Sequence, residues 1–108
     1  MKYIFPFEVL DPWTEIDGSG DKFVSELIKE MRNDDELYGN TFKAIAQRID
    51  CDDVLFRIKN QEKMLAVIHL SWSGHTDPNK GWPSRTIYSD LNTWKDKCMV
   101  PDYEDYNL

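Results

Sequence analysis

Two histidines and their neighbours are the residues of this 108-residue chain whose types could carry acid–base chemistry. His75 stands in SWSGHTDPNKGWPS, Ser71–Ser84, close in sequence to Ser71, Ser73 and Asp77. Nucleophilic catalysis would need one of those hydroxyls in hydrogen-bond reach of the imidazole, and an acid to orient the ring. No glycine precedes Ser73 by two residues, so the G-x-S-x-G elbow that exposes a nucleophile is absent. His69 lies inside MLAVIHL and reads as a sheet histidine bonded to a neighbour, ahead of a general base or metal ligand. Asp50, Asp52 and Asp53 surround Cys51 without the glycine that turns a calcium loop. They read as residues that end a helix and begin a strand, with Asp53 placed to bond backbone amides. P-loop, dinucleotide-binding and zinc spacings are missing. The expectation is a protein without catalytic, metal-binding or cofactor-binding residues, and not an enzyme. A small cytosolic hydrolase using His69 or His75 is the alternative, with a non-toxin adaptor module beside it.

Charge narrows the partner class. Twenty acids against thirteen bases give a net charge of −7. That disfavours direct contact with nucleic acid or an anionic membrane, both of which reward a basic footprint. It suits a basic protein partner, because opposite fields speed encounter. Mean hydropathy is −0.62, and no apolar run approaches the ~20 residues of a membrane span. The opening MKYIFPFEVLDPW places proline and acids where a secretory leader would continue apolar, so a cytoplasmic site of action is expected. Cys51 and Cys98 form no CxxC pair; reduced thiols are the expectation, with pairing left open.

The elements that must position these groups follow from periodicity. The chain suggests a single domain over 1–108. An aromatic segment with Pro6 and Pro12 reads as an edge strand or extended arm. DKFVSELIKEMRN is a helix, with Phe23, Val24, Leu27, Ile28 and Met31 as its apolar stripe and Ser19 or Asp21 at its start. TFKAIAQRI is expected to be a second helix, with Phe42, Ile45, Ala46 and Ile49 on one side. VLFRIKNQEKMLAVIHL reads as a hairpin turning at NQEK, its second strand covered on both faces. RTIYS adds a strand, and Ser89 would cap a short helix with Leu91, Trp94 and Cys98 inward. The tail VPDYEDYNL reads as a mobile end or an acidic-aromatic surface. The fold class is α+β: an antiparallel sheet of three to five strands with two or three helices packed on one side.

ELYGNTFKAIAQRIDCDDVLFRI, then AVIHLSWSG, a prolyl loop and a tryptophan helix, resembles a family of small single-domain bacterial proteins. The family pattern is a "PLYG" turn, "DCDDVLF", a "VHLTW" strand and a C-terminal tryptophan. Here Glu36 replaces the proline and Ser71 the threonine. The chain is similar to small acidic immunity proteins paired with contact-dependent growth inhibition toxins in enterobacteria. That resemblance implies a single immunity-like domain that binds the C-terminal domain of a cognate toxin, basic and a ribonuclease, by covering its cleft. It transfers no site residue. The expected contacts are Trp13, Glu15 and Asp17 in the N-terminal segment, Trp72, His75, Asp77 and Trp82 in the prolyl loop, and Asp102, Glu104 and Asp105 in the tail. Trp72 also belongs to the strand-end motif, which favours a structural place for it, as core packing does for Trp94.

Overall fold

A computed structural model describes residues 5–18, 20–59, 64–76 and 84–108. The order is β1 (Trp13–Glu15), α1 (Asp21–Glu30), β2 (Phe42–Arg48), β3 (Asp53–Ile58), β4 (Leu65–His69) and β5 (Arg85–Tyr88), then a C-terminal helical run. That run is α2 (Leu91–Trp94), a π-helical turn (Lys95–Met99) and α3 (Val100–Tyr106). The five strands form one antiparallel sheet in chain order, β1-β2-β3-β4-β5. The α+β class and the antiparallel sheet are those the sequence indicates. The NQEK turn lies outside the described residues.

The helices do not share one side, however. Strand residues 54, 55 and 56 are all buried, so both faces of β3 require cover. Phe23, Leu27 and Met31 of α1 pack on one face against Phe42, Ala44, Val54, Phe56, Ile58, Ala66 and Ile68. Trp94 and Met99 of the C-terminal run pack on the other, against Trp13, Ile45, Ala46, Leu55 and Leu65. Each large side chain so buried contributes about 1.5–3 kcal/mol. This central strand position for β4 matches its apolar run, whose residues alternate between the two cores.

The expected second helix, TFKAIAQRI, is instead strand β2. A bulge explains the misleading period. Ala44 faces Phe56 and Ala46 faces Leu55, so one extra residue, Ile45, is inserted in β2. Phe42 and Ala44 thus point to the α1 core, while Ile45 and Ala46 both join the opposite core. The spacing of apolar residues then mimics a helix. Ile49, the fourth member of the presumed stripe, is exposed.

Gly20, not Asp21, occupies the N-cap of α1 at φ 67, and Ser19 lies outside the described residues. A Cβ there would lie 3.1 Å from both the Cβ and the carbonyl oxygen of Ala44. The glycine therefore serves left-handed backbone and close approach of helix to sheet together. At the other end of the chain, Asp90 rather than Ser89 caps α2, accepting the Thr93 amide at 2.8 Å. The tail is helical: the Val100 amide reaches back to the Lys95 carbonyl, and Pro101 enters in the first turn of α3. Proline lacks an N–H, and the wider π turn ahead of it absorbs the mismatch.

Candidate functional site

A dense polar arrangement lies between α1 and the chain leaving β4. The side of α1 turned to the protein carries Phe23, Glu26, Leu27, Glu30 and Met31. These positions run i, i+3, i+4, i+7 and i+8, the full buried face of a helix. Glu26 is 6% and Glu30 2% exposed, so both side chains are largely covered and draw donors from the protein. The sequence stripe had assigned Ile28 inward; it is 56% exposed.

The donors are backbone amides of the loop. Ser71 N–H donates to Glu30 Oε1 and Oε2 at 3.0 and 3.1 Å, and Trp72 N–H to Oε2 at 2.8 Å. Gly74 N–H donates to Glu26 Oε2 at 2.9 Å. Trp72 at φ 59 and Gly74 at φ 79 are left-handed, which helps turn these amides toward the helix. Successive amides so arranged form an anion-binding nest, and its anions are the chain's own glutamates. The Thr76 hydroxyl donates to the Lys29 carbonyl at 3.0 Å, satisfying an acceptor of the last helical turn.

The two carboxyls titrate apart. Burial above all, then the neighbouring Glu26, pushes Glu30 above the usual glutamate range, despite the Ser71 and Trp72 amides. The hydrogen bond with Glu30, then the Gly74 amide, holds Glu26 below it. This is a coupled pair in which Glu26 gives up its proton more readily than Glu30.

What the clamp presents is Trp72. Its ring meets Phe23 edge-on at 5.9 Å, yet the residue is 43% exposed. Ser71, Ser73, Gly74, His75 and Thr76 around it are exposed as well. Sequence reasoning missed Glu26 and Glu30 because acids on a helix read as its wet face. The available signal was their position at i+3 and i+7 from Phe23.

The other expected contacts distribute differently. Trp13 is 1% exposed, so it is a core residue and not a contact. Its ring meets Trp94 edge-on at 5.3 Å and its indole N–H donates to Asp102 at 2.9 Å. Asp102 also takes the Arg48 guanidinium at 3.4 Å and the Cys98 thiol at 3.4 Å, which makes it a brace of the fold. Glu15 is half-buried in β1, and Asp17 is exposed beyond it. Glu104 and Asp105 are exposed on α3, part of the helical run that covers the face opposite α1. The structure brings Trp72 and His75 together in one loop and Trp13 with Asp102 of the tail in one bond; Glu104 and Asp105 join neither. Asp77 and Trp82 lie outside the described residues.

Neither histidine is core. His69 is exposed at the end of β4, and its Nδ1 lies 2.8 Å from Asp53 Oδ1, its partner in the β3–β4 register. Cys51 is exposed beside this pair, and its thiol is pushed up, by burial first. A thiol held protonated is a poor nucleophile. Asp50 instead pairs with Arg48 at 2.8 Å, and the Asp52 carbonyl accepts the Leu70 amide. Two shallow clefts flank the Leu37–Asn40 turn, of about 340 Å³ (Glu36, Leu37, Asn40, Met64, Ile87) and about 220 Å³ (Ile28, Met31, Tyr38, Gly39, Asn40, Phe42). Neither cleft, among its described lining residues, places a nucleophile beside a base.

Among the described residues, no helix is long and apolar enough to cross a membrane. Comparison with protein-family models, with curated proteins and with solved structures returns no match to this chain.

Proposed function

We propose that this chain is a cytoplasmic immunity protein. It binds the basic C-terminal domain of a cognate contact-dependent growth inhibition toxin, a ribonuclease, and covers the toxin's active-site cleft. The observation that carries the reading is the clamped loop: a half-exposed tryptophan whose amide is held by Glu30, with Glu26 holding Gly74 two residues on. Rigid aromatic anchors surrounded by small hydroxyl residues bind at low entropic cost. The net charge of −7 supports it through attraction to a basic nuclease cleft. Trp72 and His75 then belong to the interface, with Asp17, Glu104 and Asp105 contributing field.

The test is co-purification. The toxin domain encoded immediately upstream, purified in inactive form, should form a one-to-one complex with this chain in low salt. Absence of a complex under those conditions rejects the reading.

A hydrolase is the second reading. The observation in its favour is Asp53 bonded to His69 Nδ1, an arrangement that orients an imidazole for proton transfer. Turnover lost in His69→Ala with folding retained would establish it.

A further inference from the structure

We infer that Glu26 and Glu30 form a one-proton latch that couples the Ser71–Gly74 loop, and with it the exposure of Trp72, to pH. The inference rests on the reading of this loop as the docking site, and concerns its regulation.

The geometry sets two carboxyls against one loop. Glu26 and Glu30 are one helical turn apart on the buried face of α1, and each bears on the other's titration. Each holds a different part of one loop, Glu26 the Gly74 amide and Glu30 the Ser71 and Trp72 amides. With one proton the pair carries a single negative charge, which the nest of amides neutralises. A second charge meets no salt-bridged cation among the described residues. The groups that bear on Glu26 are Lys29 on the helix and His75 on the loop, both weaker than the bonds already named. Glu30 is also the last residue of α1, where the helix dipole disfavours an anion. Met31 beyond it leaves the helix, at φ −79 and ψ 129, but stays buried with its amide on the Leu27 carbonyl, so the strain falls on the Glu30 side chain. Like charges there are relieved by separating Glu30 from Glu26, which takes Ser71 and Trp72 with it.

The signs follow from the two shifts. Glu30 is raised in the closed loop, so its contribution is complete below the ordinary glutamate value of 4.5. It is lost as pH rises through the raised value. Glu26 is lowered, so its contribution is present above 4.5 and lost as pH falls through the lowered value. The latch is therefore tightest near the ordinary value and loosens on both sides.

The experiment uses the free full-length protein, followed by amide hydrogen exchange and amide chemical shifts from about pH 3 to about pH 8. Corrected for intrinsic exchange, protection at Ser71, Trp72 and Gly74 should peak and then fall on either side by up to about tenfold per pH unit. Glu30→Gln, which reproduces the neutral donor, should abolish the alkaline limb. Glu26→Gln should abolish the acid limb. Sheet amides of β3 in the same spectra report whether each variant is folded. Flat protection in the wild type, or an alkaline limb that survives in Glu30→Gln, overturns the latch. No partner is present, so such a result leaves the docking reading standing, and failure to bind a toxin leaves this readout unchanged.

Discussion

The indole N–H of Trp13 donates to the carboxylate of Asp102 at 2.9 Å across 89 residues of sequence. The bond ties the edge strand β1 to α3, and so ties both ends of the described chain to the same core. The same carboxylate receives Arg48 and Cys98. Removing it takes the acceptor from the Trp13 indole and the Cys98 thiol, while Arg48 keeps Asp50. Asp102→Ala should cost about 1–3 kcal/mol, the penalty of unsatisfied, part-buried polar groups. Glu104→Ala and Asp105→Ala, exposed on the same helix, should stay within about 0.5 kcal/mol of wild type. Urea unfolding followed by fluorescence separates the three variants.

Trp72 presents two opposing terms. Its φ of 59 is left-handed, which costs a bulky residue about 1–2 kcal/mol and glycine almost nothing. Its edge contact with Phe23 returns about 0.5–1.5 kcal/mol. Trp72→Gly should therefore leave stability within about 1 kcal/mol of wild type. A larger loss in thermal or urea unfolding would mean that the ring is part of the core rather than a surface held out to solvent.

Asp35 fixes the segment after α1 to the sheet. Its carboxylate takes both ends of the Arg85 guanidinium and the Leu37 amide, with side chains only 4% and 12% exposed. Burial opposes its ionisation, yet the bonds from Arg85 and Leu37 outweigh burial and hold its pKa below the ordinary 3.8. The pair's contribution is thus present above 3.8 and lost as pH falls through the depressed value. Asp35→Asn should cost about 3–5 kcal/mol at neutral pH, because a buried cation keeps only part of its partner. The difference from wild type should shrink in strong acid, measured by urea midpoints across pH.

The two thiols should differ in reactivity. Burial, then the neighbouring Asp102, pushes Cys98 up to about 12. Cys51 is exposed. A thiol reagent at neutral pH should modify Cys51 in the native protein and reach Cys98 only on unfolding. Peptide mass spectrometry reads both sites, and equal labelling of the native protein would contradict this arrangement.

Local patterns were legible where the period was unbroken. Helix α1 is announced by Phe23, Leu27 and Met31, and β3 by the alternation of Val54, Phe56 and Ile58. Strand β2 was hidden by a single inserted residue, Ile45, which converts a period of two into an apparent helical face. The helical tail was obscured by Pro101, whose missing N–H the π turn accommodates. The burial of Trp13 depends on Trp94, far away in sequence, and no local window contains that contact. The clamp was invisible for two further reasons. Buried acids look like surface acids until their donors are known, and a tryptophan in left-handed backbone is not what composition suggests. Among the expected contacts in the described residues, Trp72 and His75 share the clamped loop.

The most direct measurement titrates the upstream-encoded toxin domain, rendered catalytically inactive, with wild-type protein and with Trp72→Gly by calorimetry in low salt. A one-to-one complex with the wild type, weakened about 30-fold or more by the substitution, is the expected result for a tryptophan hot spot. An unchanged affinity in Trp72→Gly, or no heat with the wild type, would contradict the assignment of this loop as the surface that neutralises a toxin.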